Sequence, residues 1–180
     1  MRKEKYMDLK SKIREIPDWP KPGVSFKDIT TLLEDKVLLR QVIDELAAPF
    51  IDQKVDKVVG IDARGFLVAA PVAYKLNAGL SIVRKKGKLP SRTIEQEYTL
   101  EYASNIIEMH DDTISPGENV VLIDDLCATG GTALAACDLI TRLGGNIIGT
   151  SFLIDLPFLG GSKKIKEQGY VVRSLIKYGS

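Results

Sequence analysis

Val120-Val121-Leu122-Ile123-Asp124-Asp125-Leu126-Cys127-Ala128-Thr129-Gly130-Gly131-Thr132 runs from four apolar residues through two adjacent carboxylates into a string of small residues. The apolar start, NVVLIDD, reads as a buried strand, and TALAACDLITRL, closed by Gly144-Gly145, reads as a helix. Small residues between strand and helix let the backbone approach an anion, which the free N–H groups and dipole of the helix N-terminus then stabilise. Thr129 and Thr132 add hydroxyl donors, so a phosphate monoester fits the run Ala128, Thr129, Gly130, Gly131, Thr132. Asp124 and Asp125 can accept hydrogen bonds from a vicinal diol, whereas the same pair would repel a naked phosphate. Phosphate beside diol describes a ribose 5-phosphate. Either feature alone reads equally well as a solvated strand-to-helix turn; their junction between an apolar strand and an apolar helix favours binding. The loop has neither the Gly-Lys-Ser/Thr ending of a P-loop nor the Gly-x-Gly-x-x-Gly of a dinucleotide fold.

Outward from this stretch, strand and helix patterns alternate. KVVGID reads as a buried strand, GFLVAAPVAYKL as an apolar helix, LSIVR as a strand and IIGTSFLID as another. From Lys36 to Asp52 the residues Leu39, Val42, Ile43, Leu46 and Phe50 share one side of an amphipathic helix. Tyr6, Leu9, Ile13 and Ile16 recur at helical spacing and predict a short helix, broken by Pro17, Pro20 and Pro22. The expected fold class is α/β, with a mainly parallel central sheet covered by helices on both faces and ligands bound at the carboxyl ends of its strands. Residues 85–105 carry many polar side chains without clear periodicity and are expected to form a flexible lid loop, placed at 85–102.

The whole chain, 1–180, reads as one domain. Its 25 basic and 24 acidic residues leave no global field for nucleic acid or an anionic membrane. MRKEKYMDLKSKIREI is too polar for a signal peptide and no apolar run is long enough to span a membrane, so a cytoplasmic location is expected. Cys127 and Cys137 form no CxxC pair, and with His110 as the one histidine no zinc ligand set is evident.

VVLIDDLCATGGT resembles the phosphoribosyl-pyrophosphate motif of the type I phosphoribosyltransferases. More narrowly, PGVSFKDIT, DARGF, RKKGKLP and YTLEY resemble the adenine phosphoribosyltransferases, in that order and spacing. The resemblance implies the type I fold with a small N-terminal base-binding hood over 1–35, and transfer of a phosphoribosyl group to adenine to give AMP and pyrophosphate. It places adenine against Phe26, with backbone groups of Val24 to Lys27 reading the base edge. It places Arg64, Lys85 and Lys88 toward pyrophosphate, Asp124 and Asp125 on the ribose hydroxyls, and Ala128 to Thr132 around the 5-phosphate. It makes Glu101 the favoured acid or base, in a lid reaching Tyr102, and implies a homodimer.

Taken alone, Phe26 reads as core packing, the lid lysines as a solvated loop, Glu101 as a surface carboxylate, and Arg64 equally as a salt-bridge partner. Magnesium is expected to bridge pyrophosphate and ribose oxygens without a direct protein ligand. Ser91, Ala63 and Cys127 depart from the family pattern, the first within the lid. Two rivals are a phosphoribosyltransferase for another purine, against which PGVSFKDIT argues, and a ligand-binding regulator of DNA, for which the segment before Pro17 is too short to supply a reading module.

Overall fold

The computed structural model describes residues 6–100 and 103–179. Among these residues nine strands and five α-helices follow in chain order: β1 (Arg14–Ile16), β2 (Phe26–Asp28), α1 (Thr30–Leu33), α2 (Lys36–Ala47), β3 (Lys57–Ile61), α3 (Arg64–Lys75), β4 (Gly79–Lys85), β5 (Thr93–Leu100), β6 (Ala103–His110), β7 (Asn119–Cys127), α4 (Gly131–Arg142), β8 (Asn146–Asp155), α5 (Gly161–Glu167) and β9 (Val172–Lys177). Seven strands make one sheet in the order β5-β6-β4-β3-β7-β8-β9. From β4 to β9 the neighbours are parallel, while β6 joins β4 antiparallel and carries β5 as the outer arm of a hairpin.

Alternation along the central strands sends successive side chains to opposite faces. Val58, Val121 and Ile123 pack with Val42, Leu46, Val68 and Val72 of α2 and α3. Val59, Val120 and Leu122 pack with Ala136, Leu139 and Ile140 of α4 on the other face. Both faces are therefore covered, as the apolar runs imply. The start of α2 is set by Asp35, whose carboxylate accepts the backbone N–H groups of Val37 and Leu38 at 2.7 and 3.1 Å.

Two expectations need correction. Among its described residues the N-terminal segment holds a single 3-10 turn, Lys10–Lys12, and Arg14–Ile16 then pairs with β2 through Arg14↔Asp28 and Ile16↔Phe26. So short a helical pattern cannot offset its own nucleation, and pairing with β2 decides the conformation. The second is the irregular lid: from Thr93 the chain is a strand, paired with β6 from Thr93↔His110 to Leu100↔Ala103. Ile94 and Tyr98 pack against the core while Glu95 and Glu97 face solvent, a period of two masked by polar residues on an outer strand. Glu101 and Tyr102 lie outside the described residues.

Candidate active site

Every segment singled out for phosphate, sugar and base reaches the carboxyl edge of the parallel strands or the loops beside it. Asp124 and Asp125 lie near the end of β7, and the turn 128–130 leads into α4. Gly130 caps α4 at φ 82°, a left-handed conformation that glycine adopts without penalty. The turn is braced from behind by Gly161, whose N–H donates to Ala128 O at 3.0 Å. A Cβ on Gly161 would overlap Ala128 O and stand 2.6 Å from Gly130 N. A cleft of about 80 Å³ is bounded by Asp124 and residues 126–133, and a neighbouring cavity of about 380 Å³ has Asp62, Arg64, Arg84, Lys85, Asp124, Asp125 and Thr132 in its wall.

The carboxylates are held in a setting that resists their charge. Burial pushes the Asp124 carboxyl well above its ordinary 3.8, and the charge of Asp125 pushes the same way. Burial also raises Asp125, opposed by the Arg64 guanidinium. Asp124 Oδ1 accepts the Asp125 N–H at 2.9 Å, and Arg64 Nη2 reaches Asp125 Oδ2 at 2.7 Å. A diol donating two hydroxyls to this pair would relieve part of that cost.

Arg64, the first residue of α3, also connects Asp125 to strand β2. Its Nη1 donates to Lys27 O at 3.4 Å, and its guanidinium carbon stands 4.8 Å from the Phe26 ring centre. Trp19 meets the same ring edge-on, 4.4 Å between centroids. The Lys27 side chain turns away to Glu15 at 2.5 Å and over the Tyr178 ring at 4.3 Å, so Lys27 presents its backbone rather than its ammonium to the site. Val24 donates its N–H to Lys21 O at 3.2 Å and accepts from Trp19 N at 3.1 Å. Reading a base through the Val24 N–H therefore requires that turn to open.

The cations at the end of β4 and in the turn after it divide by their pairing. Lys86 is paired with Glu95 at 2.7 Å and Arg84 with Asp62 at 2.9 Å, whereas the exposed ammonium groups of Lys85 and Lys88 form no ion pair with a described residue. Two uncommitted positive charges, one at the end of β4 and one in the turn after it, suit a polyanion.

The phosphoribosyl transferase domain model matches residues 30–177. An adenine phosphoribosyltransferase of Alkaliphilus metalliredigens is 55% identical over 172 residues, covering 96% of this chain and 100% of the relative. The chain belongs to the adenine phosphoribosyltransferase family. Its fold matches that of the adenine phosphoribosyltransferase from Thermoanaerobacter pseudethanolicus with a TM-score of 0.91 at 46% identity, covering 94% of this chain and 98% of that one. It likewise matches the APRTase from Giardia lamblia complexed with 9-deazaadenine, with a TM-score of 0.91 at 34% identity, covering 96% and 97%.

Several side chains at this phosphoribosyltransferase site escaped the sequence reading. Trp19 on Phe26, the Asp62–Arg84 pair and the brace at Gly161 all join segments distant in sequence. Asp62 lies inside DARGF and Arg84 opens RKKGKLP, but neither motif pointed to their pairing, and Trp19 and Gly161 lie in no quoted motif. A groove of about 710 Å³ between the hairpin, α4 and α5 exposes Phe158 and Leu159, and touches the site at Tyr98, Thr129 and Gly131.

Proposed function

We propose that this chain transfers the 5-phosphoribosyl group from phosphoribosyl pyrophosphate to adenine, giving AMP and pyrophosphate, with the residues named above in the roles that follow. Arg64 is the observation that carries the reading: one guanidinium touches the aromatic face, the Lys27 carbonyl and a sugar-side carboxylate, at the point where base, sugar and leaving group must meet.

The 5-phosphate sits on the backbone N–H groups of Ala128 to Thr132, at the N-terminus of α4. Asp124 and Asp125 take the ribose hydroxyls. Phe26 stacks on adenine, and the backbone from Val24 to Lys27 reads its edge. As the bond from C1 to the pyrophosphate oxygen breaks, its electron pair leaves with pyrophosphate and positive charge grows on the sugar. Lys85, Lys88 and Arg64 neutralise the departing charge, and the carboxylates lie on the side where the cation develops. A ring nitrogen of adenine then bonds to C1, and Glu101 accepts the proton that nitrogen loses. The β5–β6 hairpin, anchored to β4 at Arg84↔Glu108 and Lys85↔Ile107, serves as the lid that brings Glu101 and Tyr102 over the sugar and excludes water.

Magnesium is carried by the substrate. Among the described residues no three acidic, histidine or cysteine side chains stand together as a metal site, and Asp124 and Asp125 beside the ribose hydroxyls suit an ion held mainly by substrate and water oxygens. Bound there, it would offset pyrophosphate charge. The enzyme works as a cytoplasmic homodimer. Leu67 and Tyr74 on one face of α3, with Leu80 on β4, leave apolar surface exposed for a second copy. None of the described helices is long and apolar enough to cross a membrane.

The test is nucleotide formation from phosphoribosyl pyrophosphate and magnesium with adenine, hypoxanthine, guanine or xanthine in parallel, repeated with Glu101→Ala and Asp125→Ala. AMP alone, and lost turnover in both variants, is the expected result. A different preferred base overturns the adenine assignment, and binding without reaction of any base favours a regulator.

A further inference from the structure

We propose that Glu108 is a positioning residue for pyrophosphate, holding the lysine-bearing turn 85–92 in place while Arg84 straps that turn to the one carrying Arg64. The inference rests on the phosphoribosyl-transfer reading and adds two residues to it that touch no reacting atom.

Glu108 lies on β6 with 3% of its surface exposed. Its Oε1 accepts the backbone N–H groups of Lys88 and Leu89, each at 2.8 Å, and its Oε2 faces Thr93 Oγ1 at 3.4 Å. Burial alone would raise its pKa; the N–H donors of Leu89, Gly87 and Lys88 outweigh that and leave it below its ordinary 4.5. A buried carboxylate survives as a charge only when donors of this kind surround it.

The peptide group joining Lys88 to Leu89 is also held from the other side. Lys88 O accepts Arg84 Nη1 at 3.1 Å, and the same guanidinium pairs through Nε with Asp62 Oδ2 at 2.9 Å. Arg84 and Glu108 face each other across the β4–β6 register. Lys88 is thus gripped at its N–H by β6 and at its carbonyl by β4, and β4 in turn is tied to the segment two residues before Arg64. Lys85, Lys86 and Lys88 repel one another within a few residues of chain. Lys86 is neutralised by Glu95, and the grip on the backbone keeps Lys85 and Lys88 together without spending their charges. The three cations assigned to pyrophosphate therefore come from two turns locked to each other by Glu108 and Arg84.

Steady-state kinetics of wild type, Glu108→Ala, Glu108→Gln and Arg84→Ala, together with calorimetric binding of pyrophosphate and magnesium, test this. Misplacing binding groups by about an ångström is worth on the order of 100-fold. Glu108→Ala is expected to raise KM for phosphoribosyl pyrophosphate and weaken pyrophosphate binding by about 10- to 100-fold, with KM for adenine within about twofold. Glu108→Gln keeps a carbonyl for both N–H groups and should recover most of the loss. Arg84→Ala should reproduce the selectivity for pyrophosphate, and the double variant should lose less than the two single losses combined. Equal changes in both KM values, or lower thermal stability with unchanged pyrophosphate affinity, overturn the proposal. If Glu108→Ala does not fold, Glu108→Gln and Arg84→Ala decide by the same selectivity. If wild type makes no nucleotide from any base, the transfer reading falls, and the clamp is judged on pyrophosphate affinity alone.

Discussion

Replacing Gly161 with alanine tests whether the phosphate turn depends on its support from behind. Gly161 opens α5 without a positive φ, so on helix propensity alone alanine should stabilise by roughly 0.5–1 kcal/mol. The added Cβ, however, would overlap Ala128 O and lie 2.6 Å from Gly130 N and 2.8 Å from Thr129 C. All three are backbone atoms, so no side chain can rotate away. Reaching ordinary contact at 3.4 Å displaces the turn by about 0.8 Å at Gly130 N. Overpacking of this kind costs about 1–3 kcal/mol, which outweighs the propensity gain and leaves a net loss of about 1–2 kcal/mol. In a chain of this size that lowers Tm by roughly 2–8 °C. The larger effect falls on function, because the displaced N–H groups are those assigned to the 5-phosphate, and kcat/KM for phosphoribosyl pyrophosphate should drop about 10- to 100-fold. Differential scanning calorimetry gives the first quantity and initial rates at varied phosphoribosyl pyrophosphate the second. A variant with higher Tm and KM within twofold of wild type would refute both the steric argument and the placement of phosphate on this turn.

Asp124→Asn should stabilise the protein while weakening it as an enzyme. The folded pKa of Asp124 is raised by burial and by Asp125, so its ionisation opposes folding, and the stability present below the ordinary 3.8 is lost as pH rises through the folded value. Asparagine removes that loss, so Tm should rise at pH 7 by roughly 2–4 °C per kcal/mol regained and match wild type in strong acid; kcat/KM should fall about 10- to 100-fold with the charged acceptor. A lower Tm at pH 7 contradicts the burial argument. The two thiols should be inert in the native state: both are buried, and burial pushes each up to about 12. Ellman's reagent at pH 8 should titrate Cys127 and Cys137 only in denaturant, and rapid native reaction of Cys127 would show that the turn opens.

What could be read in advance follows from how far apart the cooperating residues lie. Strands β3, β7 and β8 are apolar runs buried on two faces over most of their length, β4 carries the shorter run Ile82-Val83, and helices α2, α3 and α4 carry wide apolar stripes, so pattern alone announces them. β9 is different: Val172-Arg173-Ser174-Leu175 earns its place from pairing with β8 at Thr150↔Val172 through Asp155↔Lys177. In β1 and β5 tertiary pairing likewise overrode a helical or shapeless local pattern. The strand end with its two carboxylates and the glycine turn into α4 were legible because one contiguous stretch contains them. Gly161 against Gly130, Arg84 against Asp62 and Glu108 under Lys88 were not, since only the folded sheet brings them together.

Arg64 has one guanidinium and three attachments: Asp125, the Lys27 carbonyl and the Phe26 ring. It cannot keep all three and also turn to a leaving group. If the sugar phosphate draws that side chain to a new position, its binding becomes coupled to that of a purine at the Phe26 ring, and thermodynamic linkage requires each to change the other's affinity by the same factor. On the proposed roles, the two substrates, which share no atoms before reaction, would sense each other through a single side chain.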